Sequence, residues 1–549
     1  MRIKNPVILI YAVWRIVVWF SRKLLVKAGF ESILLANNAP KYLKKEIKKT
    51  TSQTQQFQKF NIPFRLTAEM SNLPDKIPLA THELRLSHNK IPWQTKFNDP
   101  EDLFALHRWG WLIRLLIKYP SKQFAEWGQE MLEDWLNIFY HQKTGPIWEA
   151  YSVSERIVNG ILFFNICSEY LDTKFQDRFV QTIAEHAQFL KNHLEYHGDK
   201  KTNNHFLNNA RALYFAGQFL QDNNLVQIGR LIWENELPKM LTPNGFLREQ
   251  SSHYHFLLTR SVLEVWWLAK QTNDHEFART IEPHESKMLQ KCSFFLVKNS
   301  ANQFTIPLIG DVSPDFPPEW LLSMPFSIIK VGLLKENNKE QEFYNQDGWH
   351  KLNKNDFTVY WHTKPSGLIK YHGHNDTQSF CLYYQGQPII IDPGRYNFTK
   401  NDSARYGRTA IAHNSVLIDN KEQMFLDWYG LFPDWALRQT TQAKNFTREF
   451  IVANNEFIIQ DNFIGKKTHE ITSIFHLAPG IQAEKIDEKN ILIRKQKLSF
   501  NLQTSTDAQD IKIKQDYFFP AYGKKVPAQT IELTFKKEFS TQIQYKLTC

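Results

Sequence analysis

Three short polar clusters in this 549-residue chain hold side chains able to move protons or to bind ions. The first is KTNNHFLNNA at 201–210, where Asn203, Asn204 and His205 are adjacent. Amide and imidazole N–H groups can neutralise a carboxylate, although Asn is also a favoured helix N-cap. The second is REQSSHYHFLL at 248–258, with Tyr254 between His253 and His255. A phenol shuttles a proton when its neighbours tune it; the same residues would otherwise form the polar rim of a helix start. The third is KYHGHNDTQSF at 370–380. There His372, His374 and Asp376 alternate, so a strand would place all three on one face. Asp392 in PIIIDPGRYNF and His413 in RTAIAHNSVLID follow. Arg405 and Arg408 add guanidinium groups that suit carboxylate or sulfate, or serve as plain surface charge. Hydrolysis of a glycoside would instead need two carboxylic acids. The nearest pair is Asp311 and Asp315 in GDVSPD, in a Pro-rich stretch where turn formation fits better.

The elements that carry these clusters separate into two kinds. From about 100 to 300 the apolar pattern is helical. Trp127, Met131, Trp135 and Phe139 recur every fourth residue, and Ile183, Phe189, Leu190 and Leu194 repeat the theme. Leu225, Ile228, Leu231 and Ile232 continue it, then Val262, Val265, Trp266 and Leu268. Amphipathic helices of similar length with short turns, such as TPNG at 242–245, predict stacked helix hairpins. IPLIGDVSPDFPPEW at 306–320, with its four Pro, ends the helical pattern and opens an inter-domain region to about 345. Beyond it come short β-branched and aromatic runs bounded by turn residues. These are FTVYWH (357–362), QSFCLYY (378–384), PIIID (388–392), NSVLID (414–419), EFIIQD (456–461) and IELTF (531–535). Such spacing predicts an antiparallel β-sandwich. Helices first and strands second make a multidomain α+β chain, divided into an extension at 1–60, a helical domain at 61–330 and a β domain at 331–549.

Bulk properties narrow the class. With 42% hydrophobic and 22% charged residues the chain is globular and not disordered. A formal charge of +11 favours polyanionic partners. No zinc-finger spacing, RRM signature or basic heptad region supports nucleic acid. The four Cys, at 167, 292, 381 and 549, form no C-x-x-C pair and are read as free thiols. The start, MRIKNPVILIYAVWRIVVWFSRKLL, has no clear cleavage site, and Arg15, Arg22 and Lys23 break and close its apolar run. It reads as an amphipathic helix peripheral to a membrane, or as an ordinary helix packed on the first domain. KYLKKEIKK at 41–49 and the TSQTQQFQKF that follows read as an exposed basic segment and linker.

Taken in order, H-G-H-N-D, then D-P-G-x-Y, then R-x-x-x-A-H-N-S-V-x-I-D closely resemble the C-terminal domain of heparinase II/III-like proteins. N-N-H, E-Q-S-x-H-Y-H and L-I-G-D-V-S-P-D resemble the helical half of the same family, and the likeness spans about 100 to 480. The resemblance implies an N-terminal incomplete (α/α) toroid, a C-terminal antiparallel β-sandwich and a cleft between them. It implies a polysaccharide lyase acting on an acidic, uronic-acid-containing glycan by β-elimination. Asn204 and His205 would neutralise the uronate. Tyr254 would be the acid, and for one epimer also the base, with His372 as the other proton-transfer group. A structural Zn²⁺ would sit on His374, Asp392 and His413; the alternative is a hydrogen-bonded His–Asp network without metal. A cell-envelope, periplasmic location follows from the family, whereas the missing cleavage site leaves the cytoplasm or the inner-membrane face open. Some relatives continue N-H-x-x-E where this chain has Asn208, a lost charge that bears on substrate preference. A glycan-binding or assembly protein without catalysis would keep the scaffold but need not keep Asn204, His205, Tyr254 and His372 together.

Overall fold

The computed structural model describes residues 10, 13–14, 16–18, 20–21, 24, 39–49, 57–67, 73–198, 202–299, 301, 303–318, 339–363, 372–376, 378–399, 405–421, 446–453 and 455–549. Parts of the N-terminal apolar run, the TSQTQQ linker and the stretch 319–338 of the expected inter-domain region therefore lie outside the described residues.

Among the described residues, nine longer helices build the first half: α1 (Pro100–His107), α2 (Gly110–Lys118), α3 (Lys122–Phe139), α4 (Ala150–Cys167), α5 (Thr173–Asn192), α6 (Asn204–Leu220), α7 (Asn223–Met240), α8 (Ser252–Gln271) and α9 (His275–Phe295). The fourfold spacing seen in the sequence becomes the buried stripe of α3, where Trp127, Met131, Trp135 and Phe139 all leave solvent. Ser121 caps that helix by accepting from the Phe124 N–H. Each large side chain so buried stabilises the fold by roughly 1.5–3 kcal/mol. Helices α6 and α7 pack side by side, as do α8 and α9, giving the incomplete (α/α) toroid. A buried ionic network then fixes the inner helices. Arg211 on α6 meets Glu155 of α4 at 2.8 Å and Glu264 of α8 at 2.7 Å. The two helices that carry the first two polar clusters are thereby locked to α4.

The basic segment at 41–49 is not a free linker. It forms a short 3-10 turn and a helical turn, buries Leu43, and donates the Tyr42 hydroxyl to Glu236 of α7 at 2.6 Å. Its five lysines remain exposed.

The second half is antiparallel throughout. β1 (Gln341–Tyr344), β2 (Trp349–Lys354), β3 (Phe357–His362), β4 (Phe380–Tyr384) and β5 (Gln387–Ile390) form one sheet in chain order. Period-two alternation gives this sheet two different faces. Phe357, Val359, Phe380 and Leu382 enter the core of the β half, while Tyr360, Cys381 and Tyr383 pack into the helical core. A four-stranded and a six-stranded sheet complete the sandwich. All six runs expected as strands contain one. The four Cys are free thiols, three of them buried.

Candidate active site

Two helix starts and two irregular segments meet at the seam between the halves. Asn203 caps α6 by accepting from the Phe206 N–H at 3.0 Å. The capping role thus falls on Asn203, and the next two residues are left to face the seam. Ser251 caps α8, accepting from the Tyr254 N–H at 3.0 Å, and its own hydroxyl donates to the Asp311 carbonyl at 2.6 Å. Gly310 lets the Pro-rich segment pass there. Its φ is +79°, and a Cβ would lie 2.5 Å from the Gln250 carbonyl oxygen and 2.7 Å from that of His372. The Asp311 N–H then donates to the His372 carbonyl at 2.9 Å.

These backbone ties bring three of the four expected catalytic groups together. The Tyr254 and His372 rings stack, with centroids 3.5 Å apart and planes 14° from parallel. Asn204 Nδ2 lies 3.2 Å from His372 Nε2. His372 Nδ1 lies 3.1 Å from Asp311 Oδ2, so the hydrogen-bond network assigns the proton to Nδ1 and leaves a lone pair on Nε2. His205 stands a little apart. Its ring lies 4.5 Å from that of Tyr151 on α4, and Tyr151 is within electrostatic reach of Tyr254.

The segment bearing His372, His374 and Asp376 is not a strand. Residues 372–376 form an irregular loop between β3 and β4. The two imidazoles still act together, because each takes one oxygen of Asp311: His372 as above, and His374 Nε2 at 2.8 Å from Oδ1. The alternation read as a strand face is therefore a loop wrapped around a buried carboxylate.

The charges set the protonation states. Burial lowers His205, but Glu195, with Oε1 2.9 Å from Nδ1, outweighs it and lifts the imidazole to about 9. Glu195 is itself clamped by Asn209, which donates to its Oε2 at 3.1 Å. Burial and the carboxylates of Asp311, Asp315, Glu101 and Glu249 hold the Tyr254 phenol well above its usual value. Tyr254 is thus a phenol and not a phenolate in the free protein. Burial works against ionisation of Asp311, but Arg395 at 3.1 Å and the two histidines hold it well below the ordinary carboxylate range.

Several of these groups escape sequence reasoning. Glu249 is fully buried and accepts from Asn204 Nδ2 at 3.0 Å, which orients the amide. It lies within the second cluster, but nothing in the residue order points it at Asn204. Glu195 lies ten residues before its histidine in an irregular stretch after α5. Asp311 and Asp315 are more than turn formers. Asp315 is paired with Arg108 at 2.6 Å and accepts from the Tyr151 hydroxyl at 3.0 Å. Both carboxylates are bound by cations, which leaves neither as the free acid a hydrolase needs. Asn208 faces away from the seam, accepting from Arg211 at 2.8 Å. Arg408 is half-buried and within electrostatic reach of Asp311 and Arg395, whereas Arg405 is exposed. An open groove of about 730 Å³ runs past Thr81, Phe97 and Asp99 of the helical half and Tyr396, Asn397 and Thr399 of the β half. Phe398, between Asn397 and Thr399 in the chain, has its ring centroid 6.5 Å from that of His372.

His374, Asp392 and His413 lie beside this site, all buried, with ligand atoms within 4.8 Å of one another. The donor set suits Zn²⁺: two imidazoles and one carboxylate, open to a fourth ligand. Two further observations fit. Asp311 takes His374 Nε2 and leaves Nδ1 buried without a hydrogen-bond partner among the described residues. Burial, only partly offset by Asp311, lowers His374 to about 4, so it is neutral, as a metal ligand must be. Asp392 also lies 2.8 Å from His413 Nδ1.

A helical toroid followed by an antiparallel β-sandwich, with an amide, a phenol and an imidazole meeting at their seam, defines the class of fold. Residues 39–317 match the heparinase II/III N-terminus model, and residues 336–445 and 434–546 match the heparinase II/III-like C-terminal model. The chain belongs to the heparinase II/III family. None of the curated proteins matches the sequence. Among solved structures, a heparinase III superposes with a TM-score of 0.64 at 17% identity, covering 85% of this chain and 80% of that one. A mutant of the heparan sulfate lyase HepC from Pedobacter heparinus gives 0.56 at 17% identity, covering 96% and 90%.

Proposed function

We propose that this protein is a polysaccharide lyase that cleaves a uronic-acid-containing glycan by β-elimination. The observation that carries the reading is the meeting of Asn204 and Tyr254, from two toroid helices, with His372 from the β half. The C5 proton of a uronate is weakly acidic because its carboxylate resists further negative charge. His205, cationic at neutral pH, and the Asn204 amide would offset that charge as it develops. His372 Nε2, which accepts from the Asn204 amide in the free protein while Nδ1 is held by Asp311, would take the C5 proton once the uronate draws that amide to itself. The C5–H pair then forms the C4–C5 double bond and the C4–O4 bond breaks. Tyr254, held as a phenol, would protonate the departing O4. Return of the proton from His372 to the Tyr254 phenolate resets the stacked pair.

His374, Asp392 and His413 would hold Zn²⁺, which when bound supplies structural order to the loop behind His372. A polysaccharide of the bacterial cell envelope is the substrate class we favour. The test is a panel of acidic polysaccharides assayed for the ultraviolet absorbance of the unsaturated product. Absorbance growing with at least one uronate polymer, and absent with Tyr254→Phe, is expected. Reducing ends released without that absorbance, or binding with no cleavage of any uronate polymer, would overturn the reading.

A further inference from the structure

We infer that the toroid holds a buried monatomic anion of the chloride class beside Arg156. Arg156 of α4 is 0% exposed, yet among the described residues no carboxylate pairs with it. Its Nη1 donates to the His107 and Ile147 carbonyls at 3.1 and 2.9 Å. Nε and Nη2 are buried without a hydrogen-bond partner. Burial lowers the guanidinium to about 9, and Glu149 offsets only part of that. The group therefore stays charged at neutral pH. A bare cation inside a core is costly unless a counter-charge meets it.

The surroundings are rich in donors and poor in acceptors. The guanidinium packs on Trp135 of α3 and on Trp148, with Cζ 4.9 and 5.1 Å from the ring centroids. Such contacts serve its flat faces and leave the in-plane N–H groups unserved. The indole N–H groups of Trp109 and Trp148 are also buried and unpartnered, as is His186 Nδ1 on α5. These rings are neighbours. His186 lies 5.1 Å from Trp148 and 5.9 Å from Trp135, and Trp109 lies 5.2 Å from Trp135, between centroids. Burial, and then the charge on Arg156, hold His186 well below its usual value, so the ring is neutral and Nδ1 is able to carry its proton. His107 Nδ1, an acceptor in this cluster, already takes the Trp135 N–H at 2.9 Å. A water here would bring two hydrogens into a setting short of acceptors. An anion instead accepts from each N–H and cancels the charge. The aromatic walls favour a weakly hydrated ion, chloride or bromide, over fluoride or sulfate.

The test is thermal unfolding of the full chain in a sodium chloride titration, with sodium gluconate holding the ionic strength constant. A saturable rise in melting temperature of about 2–4 °C is expected with chloride and with bromide, and none with fluoride. General salt effects run the other way, because strongly excluded anions stabilise most. His186→Phe removes one donor and should raise the chloride concentration at half-effect by about tenfold. Arg156→Met should remove the dependence; if that variant does not fold, the anion series on the parent chain still decides. Crystals grown in bromide should show an anomalous peak at hydrogen-bond distance from Arg156 Nε or Nη2. The readouts are stability and position, so failure of the lyase assignment leaves them intact. A melting temperature that follows ionic strength alone would overturn the inference. So would ordered water in place of bromide beside Arg156, or a chloride dependence that survives Arg156→Met.

Discussion

Replacing Glu195 with Gln should move the alkaline limit of turnover to lower pH. Glu195 Oε1 stands 2.9 Å from His205 Nδ1, and the imidazole is lifted from 6.5 to about 9 with this carboxylate as the main raising influence. The cation is therefore present at and below its ordinary value and is lost as pH rises through about 9. Two unit charges about 3 Å apart interact by ~1.4 kcal/mol at the dielectric of water, and by several times that inside a protein. One pH unit corresponds to about 1.4 kcal/mol. The His205 side chain is 44% exposed, so water screens the pair and the low end applies. Gln keeps an oxygen for the Nδ1–H and removes only the charge. The basic limb of kcat/KM should then fall by about one to two units, with little loss of rate near pH 6. Initial rates of unsaturated-product formation between about pH 5 and 10 measure it, because kcat/KM reports the free enzyme. A folded Glu195→Gln protein with the parent's alkaline limb would show that a cationic His205 is not what holds the uronate.

Four further outcomes follow from the same geometry. Tyr254→Phe keeps the ring stacked on His372 and removes only the acid, so kcat should fall by about 10²–10⁴ with an unchanged melting temperature; near-normal turnover would disprove the assignment. Asp311→Asn removes the charge shared by His372, His374 and Arg395; we expect a fall in kcat of about 10²–10⁴ and a loss of about 3 kcal/mol in stability, read from kinetics and urea unfolding of one preparation. His253, His255 and His374 are lowered to about 3, 4 and 4, each mainly by burial. Their folded values lie below the unfolded one, so the unfolded chain binds protons first, and the melting temperature should drop as pH falls from about 6.5 toward 4. Protein purified without added metal should contain close to one zinc per chain by elemental analysis, and chelation should lower its melting temperature; metal-free protein of full stability would remove zinc from the account.

Periodicity made the scaffold legible in the sequence, while the partners of the site were not. The stripe on α3 and the alternation on β3 and β4 are written in consecutive residues, so each can be read without knowing what it faces. The Asn203 cap is equally local. Pairings across the chain are different. Glu249 meets Asn204 across 45 residues, and Asp311 meets His374 across 63, and neither separation has a period. Asp311 was hidden further by its surroundings, since Pro-rich segments imply turns wherever their side chains end. The alternate spacing of His372 and His374 misled for a related reason. Residues two positions apart share a face in a strand, but they also flank a common acceptor when a loop curls round it, and the sequence pattern is the same in both cases.

Asp311 ties the proposed chemistry to the seam between the two halves. The toroid supplies the amide, the cation and the phenol, each fixed by a helix start. The β half supplies the imidazole on a loop whose described residues 372–376 belong to no strand. Such a loop needs an external anchor, and Asp311 provides it from the segment that leaves the toroid. One oxygen holds His372 and the other holds His374 beside Asp392 and His413, while Arg395 keeps the carboxylate ionised. His372, the proposed base, and the candidate metal cluster therefore share one support. A change that displaces residues 307–311 from the start of α8, where Ser251 and Ser252 pin them, should disturb both at once while leaving the two hydrophobic cores intact.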